Sequence, residues 1–246
     1  MENYFFEAFE VMDRLAPGSE ASTLKAISMY KGPKEATDIL DIGCGNGIHT
    51  MLLAKEFPKA KIIAIDNHQK FIENLNDTME KNGLSQRVTG KCLSMFDMDF
   101  DEKSFDLIWS EGAIYIAGFE RGLKEWKRLL KENGYLICSE VSWLVDNPSE
   151  EIAAFWDEEY PQIDKVENKI KQIEAAGYTY QGHFVTPSTD WTDNYYNPLQ
   201  ANLDKMLQKY PDNDMAKQVI AMLQHEIDLY RKYGDEYSYV FYIMSK

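Results

Sequence analysis

A glycine-rich stretch limits the architecture of this chain more than anything else in it. Asp41-Ile42-Gly43-Cys44-Gly45-Asn46-Gly47 follows an apolar run over residues 37–43 and leads into a helical pattern over 46–57. Alternating glycines at such a junction let the chain turn tightly and let a ligand approach the backbone with no Cβ in the way. The following helix points its first N–H groups at the same place. Several nucleotide folds use a glycine turn, and the spacing separates them. A dinucleotide fingerprint needs a small residue where this chain has Ile48, and a P-loop needs a Gly-Lys-Ser/Thr ending that is absent. What remains is Asp-x-Gly-x-Gly-x-Gly.

The pattern on either side of the turn fits a parallel sheet. Lys61–Asp66 reads as a short strand ending in Asp66, 19 residues after Gly47. A carboxylate there accepts from both hydroxyls of a ribose, and on its own it equally reads as an N-cap for a helix over 68–82. Beside the glycine turn, the ribose reading is the stronger. Further strands are expected over 87–93, Phe105–Ser110 and 134–141, with a helix over 120–131 closed by Asn133-Gly134. Strands alternating with helices argue for βαβ units, and unbroken apolar runs argue for strands covered on both faces. Ahead of the sheet, Phe5, Phe6, Phe9, Met12 and Leu15 sit at helical spacing over 2–15, Pro17-Gly18 interrupts, and Ser19 caps a helix over 19–30. After Val141 the rhythm loosens into helices over 149–160 and 162–176 and strands over 178–186 and 237–244. The mostly helical stretch 187–236 is too long for a turn and reads as a lid or small subdomain.

In these motifs the chain resembles the class I S-adenosylmethionine-dependent methyltransferases. The likeness covers roughly 37–141. Residues 41–47 look like the family's first motif and Asp66 like its ribose acid. Ser104-Phe105-Asp106-Leu107-Ile108 looks like its fourth strand, and Leu130-Lys131-Glu132-Asn133-Gly134-Tyr135-Leu136 like the turn into its fifth. The resemblance is to the small-molecule branch, similar to the ubiquinone/menaquinone-biosynthesis-type enzymes. It implies an α/β, Rossmann-like sheet of seven mostly parallel strands, the last antiparallel, with helices on both faces and a helical lid insertion. It also implies an organisation of a helical cap over 1–36, a cofactor core over 37–141, and a remainder over 142–246 that carries the acceptor site. The cofactor implied is S-adenosylmethionine, leaving as S-adenosylhomocysteine, with no metal. Asp41, Gly43, Cys44, Gly45, Asn46, Gly47, Asp66 and Asn67 are then cofactor residues. Many relatives carry Asp-Ala after the third strand, where this chain has Ser94-Met95; Ser94 can still accept a hydrogen bond and Met95 can lie against the purine, with Asp97 as the rival acceptor. Ser110 and Glu111 are expected near the methyl path, and Arg14 either pairs with the cofactor's carboxylate or makes a surface ion pair.

Methyl transfer from a sulfonium needs alignment of donor and acceptor, with a base where the acceptor must lose a proton. Glu111 and Tyr115 are the catalytic candidates, with Glu140 beside them, and none forms a dyad. His49, His68, His183 and His225 read as structural. The aromatics Trp143, Trp191, Tyr195 and Tyr196 are expected to line the acceptor pocket or its lid. Their competing use is the core of a helical subdomain or a homodimer contact. Aromatic faces favour an amine or a flat apolar acceptor.

Composition narrows the partners. With 26 Lys+Arg against 41 Asp+Glu the net charge is −15, and no basic run offsets it, so nucleic acid is not an expected partner. The Asn-Pro-Pro-Tyr of base and protein N-methyltransferases is missing after the fourth strand, where Ser110-Glu111-Gly112-Ala113 stands. Cys44, Cys92 and Cys138 are odd in number and far apart, which argues against a disulfide framework and a zinc site, and for a cytoplasmic protein. The longest apolar run, 239–244, is too short to span a bilayer, and the acidic N-terminus is unlike a signal peptide. The runner-up function is a non-catalytic cofactor-binding sensor or scaffold of the same fold; a nicotinamide-dependent reductase is disfavoured by Ile48.

Overall fold

The apolar runs become strands because both of their faces are covered. The structure, a computed structural model, describes residues 2–34 and 37–246. In chain order the elements are α1 (Glu2–Glu10), α2 (Glu20–Ser28), β1 (Asp38–Ile42), α3 (Ile48–Glu56), β2 (Lys61–Asp66), α4 (Gln69–Lys81), β3 (Val88–Cys92) and β4 (Phe105–Ser110). Then come α5 (Ile114–Ala117), α6 (Phe119–Trp126), β5 (Leu130–Trp143), α7 (Glu150–Glu159), β6 (Asp164–Lys165), α8 (Val166–Ala175) and β7 (Thr179–Val185). The chain ends with α9 (Ser188–Trp191), a π-helical turn (Thr192–Tyr196), α10 (Asn197–Lys209), α11 (Asp214–Tyr233) and β8 (Tyr237–Ser245). The strands form one sheet in the order β3-β2-β1-β4-β5-β8-β7, with β6 paired to β5. β8 runs antiparallel to both its neighbours, and the other pairings are parallel.

Side chains alternate between two cores, as strand geometry requires. Ile39, Leu107, Trp109, Ile137 and Phe241 face α2, α3 and α4 on one side. Leu40, Ile108, Leu136, Cys138 and Tyr242 face α5, α6 and α8 on the other. A third cluster holds α9, α10 and α11 against Tyr237 and Tyr239 of β8. α1 joins that cluster, and Asn202 Nδ2 donates to Ala8 O at 3.2 Å while Asn213 Nδ2 donates to Tyr4 at 2.8 Å. The N-terminal helix and the insertion therefore meet over the carboxyl edge of the sheet, where the glycine turn lies.

The expected architecture holds, with four local differences. The first helix stops at Glu10 rather than running to 15. Residues 11–19 instead form a strap whose polar groups bond elsewhere: Met12 O accepts from Asn46 Nδ2 at 3.0 Å, and Gly18 N donates to Asp190 O at 3.2 Å. The fifth strand is longer than 134–141 at both ends, and its preceding helix ends at Trp126, followed by a single 3₁₀ turn, Lys127–Leu129. Asn133-Gly134 is thus a bulge inside β5, with Asn133 at φ 63° and Lys131 Nζ reaching Asp38 at 2.7 Å and Asp106 at 2.8 Å. The helix expected from 162 begins at Val166, because Asp164 and Lys165 pair with Ser142 and Trp143 as an eighth strand. Finally, β3 lies at the sheet edge and is mostly exposed rather than covered on both faces.

Candidate active site

The glycine turn is held open from several directions. Gly43 and Gly45 have φ of 75° and 51°, the left-handed region that glycine occupies without strain. A Cβ on Gly43 would sit 2.3 Å from Ala113 Cβ, and one on Gly45 would sit 2.7 Å from Leu15 Cδ1. Their second requirement is therefore close approach by the β4–α5 turn and by the strap. The N–H groups of Gly43 and Cys44 donate to Ile65 O at 2.9 and 3.0 Å, tying the turn to β2. Asp66 completes the clasp: Oδ2 accepts from Gly45 N at 3.0 Å and Oδ1 from His68 N at 2.9 Å. Asp66 borders the cavity and holds the His68 N–H ahead of α4, but the N-cap of that helix is His68, not Asp66. Burial raises its carboxyl above the ordinary range, opposed by the two backbone N–H groups.

A cavity of about 250 Å³ opens beside this clasp. Gly43, Cys44, Gly45, Asn46, Asp66 and Asn67 line it from the first two strands. Ser94, Met95, Glu111 and Tyr115 line it from beyond β3 and β4, Arg14 from the strap and Tyr195 from the insertion. Six other expected site residues lie outside it. Asp41 is wholly buried beneath the turn, where Thr50 Oγ1 donates to it at 2.6 Å and His49 Nε2 makes a long 3.4 Å contact. Gly47 starts α3 against Leu75, and the Ser110 hydroxyl donates to Ile42 O at 3.1 Å. Trp143 packs edge-on against Tyr237. Trp191 is 2% exposed, stacks between Tyr230 and Tyr239, and donates from Nε1 to Ser238 Oγ at 2.9 Å. Tyr196 is buried and donates to Glu226 at 2.9 Å. Trp191 and Tyr196 are thus core of the helical subdomain. Asp97, the rival adenine acceptor, is exposed and off the cavity, while Ser94 borders it.

Glu111 is not the free base that its position promised. Arg14 Nη1 donates to its Oε1 at 2.9 Å, and the Thr23 hydroxyl lies 3.1 and 2.9 Å from its two oxygens. Both partners are nearly buried, so the carboxylate is neutralised and fixed. Arg14 is correspondingly not a surface ion pair: it is 7% exposed, and its Nη2 has no hydrogen-bond partner. Tyr115 is equally unsuited to be a base, because burial and then the carboxylates of Glu226 and Glu140 push its phenol up to about 12. It stays protonated and can donate. Glu140 lies deeper, 0% exposed, bonded at 2.6 Å by both Lys169 Nζ and the Tyr160 hydroxyl. His49 does border the cavity; burial would lower its imidazole, but the Asp41 carboxylate outweighs that and the net shift is upward.

The sequence reading missed the roof. Phe5, Phe6 and Phe9 of α1 line the cavity, Phe6 stacks on His68 at 4.1 Å, and Phe71 and Phe96 add to the wall. Three phenylalanines within five residues were a visible signal, but helical spacing assigns such residues to a core, and nothing local says that the core is a cavity. Among the described residues no three His, Cys, Asp or Glu side chains gather as a metal-holding group, and no helix is long and apolar enough to cross a membrane.

A sheet of this strand order, with a glycine turn and an acidic strand end at its carboxyl edge, has the fold of the class I S-adenosylmethionine-dependent methyltransferases. A family model described as a methyltransferase domain matches residues 33–224, and the chain belongs to that family. It is 30% identical over 157 residues to a sterol 24-C-methyltransferase of Pneumocystis carinii, covering 61% of this chain and 41% of the relative. It is 26% identical over 192 residues to phosphoethanolamine N-methyltransferase 1 of Zea mays, covering 75% and 36%. The chain spans less than half the length of either of these curated relatives. A methyltransferase of Geobacter sulfurreducens, solved with S-adenosylhomocysteine, superposes with a TM-score of 0.84 at 18% identity over 99% of this chain and 98% of that one, which is a likeness of fold.

Proposed function

We propose that the protein is a cytoplasmic S-adenosylmethionine-dependent methyltransferase acting on a small molecule. The observation that carries this reading is the convergence of the glycine clasp and an unpartnered buried guanidinium nitrogen on one cavity. The residues present fit the cofactor. Arg14, with Nη2 unpartnered, would take its amino-acid carboxylate, and Gly43 and Gly45 offer backbone without side chains. Asp66 keeps acceptor capacity for the ribose hydroxyls after clasping Gly45, and Ser94 and Met95 suit the adenine edge and face. The cofactor supplies a methyl group activated for displacement on its sulfonium. The chain's own part is to bind, orient and shield. Phe5, Phe6 and Phe9 exclude water from above, Tyr115 presents a protonated hydroxyl, and Glu111 holds Arg14 in place. With Glu111 occupied, the site suits an acceptor that reaches the methyl group as a neutral nucleophile. The relatives named above methylate small molecules of unlike kinds, which supports the class of acceptor but does not choose one.

Asp66→Ala should weaken S-adenosylhomocysteine binding roughly 10–150-fold, since losing a charged acceptor costs about 1.5–3 kcal/mol. Isothermal calorimetry on the two proteins measures it; wild-type affinity in the variant would remove Asp66 from the ribose site. Turnover is tested by incubating the protein and S-adenosylmethionine with a metabolite extract and identifying any methylated product by mass spectrometry. Tight cofactor binding with no product from any extract would favour the sensor or scaffold reading.

A further inference from the structure

We infer that His68 is a positioning residue that latches α1 over the cavity, and that parting the two admits and frees the cofactor. This rests on the methyltransferase reading of the same cavity and adds to it the step that governs cofactor exchange.

The polar bonds of Tyr4, Glu7 and Ala8 on α1 all go to the helical insertion. Asn213 Nδ2 donates to the Tyr4 hydroxyl at 2.8 Å, Lys209 Nζ to Glu7 at 2.7 Å, and Asn202 Nδ2 to Ala8 O at 3.2 Å. Tyr4 also packs edge-on against Tyr210, with ring centres 5.0 Å apart. Toward the cofactor core, α1 presents Phe6 and Glu10, and both meet His68. The imidazole lies flat on the Phe6 ring, 8° from parallel with centres 4.1 Å apart, and edge-on to Phe71 at 4.3 Å. Its Nε2 is enclosed without a hydrogen-bond partner and stands 3.6 Å from Glu10 Oε1.

His68 is itself fixed to the site. Its backbone N–H donates to Asp66 Oδ1 at 2.9 Å, it is the N-cap of α4, and its neighbours Asn67 and Phe71 border the cavity. The roof helix therefore spans the cavity from the insertion to the end of β2, where it closes on His68.

Two observations make this contact a latch rather than a piece of core. The first is exposure. The side chains of His68 and Glu10 are 22% and 42% exposed, so the rings can part without opening a dry interior. The second is room. The cavity of about 250 Å³ falls below the roughly 300–1,000 Å³ of pockets that take drug-sized ligands, and Phe5, Phe6 and Phe9 form its wall on the α1 side. A ligand the size of S-adenosylmethionine therefore has to move α1 to enter and again to leave. Aromatic contacts of this kind are strong enough to bias α1 toward closure and weak enough to release within a catalytic cycle.

Surface plasmon resonance on the immobilised full chain gives the association and dissociation rates of S-adenosylhomocysteine. His68→Ala is expected to raise both rates about tenfold, the effect of losing aromatic contacts at a closed gate, and to leave Kd within about threefold of the wild type. His68→Phe, which restores a ring against Phe6, is expected to return both rates to within about threefold of the wild type. A side chain that only touches the ligand, or only props the fold, changes dissociation alone. Unchanged rates in His68→Ala, a rise confined to dissociation, or a His68→Phe as fast as His68→Ala would overturn the inference. The wild-type protein supplies a check that needs no variant to fold: hydrogen exchange of the α1 amides should slow at least about tenfold at saturating S-adenosylhomocysteine, and identical exchange with and without it would overturn the latch. Failure of S-adenosylhomocysteine to bind the wild-type protein would sink the methyltransferase reading, whereas binding with unaltered rates in His68→Ala would sink only the latch.

Discussion

Trp191→Ala is expected to destabilise the protein by about 3–5 kcal/mol, the range for removing a large aromatic from a packed core. For a chain of this size that is a fall in melting temperature of roughly 6–20 °C. The indole is 2% exposed and held on three sides: stacked on Tyr230 at 4.8 Å, stacked on Tyr239 at 5.1 Å, and edge-on to Tyr237 at 5.6 Å. Its Nε1 also donates to Ser238, so truncation leaves both a void and a hydroxyl with one partner fewer. Because Trp191 does not border the cavity, cofactor affinity of the folded fraction should be close to that of the wild type. Urea unfolding followed by tyrosine fluorescence gives the stability, and calorimetry gives the affinity. A variant that melts normally but fails in turnover would restore the lid role for this tryptophan.

Lys169→Met should be comparably severe, about 3–5 kcal/mol at neutral pH, because it leaves Glu140 as an uncompensated buried charge. The lysine is wholly enclosed, bonded to Glu140 at 2.6 Å and to Gln162 O at 2.8 Å, with its ammonium 4.6 Å from the centre of the Phe119 ring. Even with Lys169 present, burial holds the Glu140 carboxyl above its ordinary 4.5. A carboxyl raised in the folded state binds more protons there than in the unfolded chain, so its contribution to stability falls as pH rises above 4.5. Removing the lysine raises it further. The variant's deficit should therefore be small near pH 5 and grow toward pH 8. Glu140→Gln added to Lys169→Met should recover most of the loss, since a neutral amide needs no counter-ion. Denaturant melts at several pH values decide this; a pH-independent deficit, or none, would show that Glu140 does not depend on its lysine.

The glycine-turn side of the cavity was legible because its geometry is local. The turn at 41–47 and the acid at Asp66 lie at consecutive strand ends, and adjacent parallel strands must bring those ends together. The far side of the cavity was not legible, for different reasons at different residues. Glu111 looked like a free loop acid because its partner, Arg14, is 97 residues away in the chain. Trp191 and Tyr196 showed no helical or strand period because residues Thr192–Tyr196 make a π-helical turn, whose repeat neither template matches. Aromatic residues also read alike whether they fill a core or line a pocket, and only Tyr195 of that group reaches the cavity. The alternation of strands and helices and the glycine turn follow from periodicity and spacing, which act over a few residues, while the sheet's arrangement and the cofactor class come from the family resemblance those motifs carry. Which acid is neutralised and which aromatic borders the cavity depend on contacts between elements far apart in the chain, and burial converts those contacts into electrostatics.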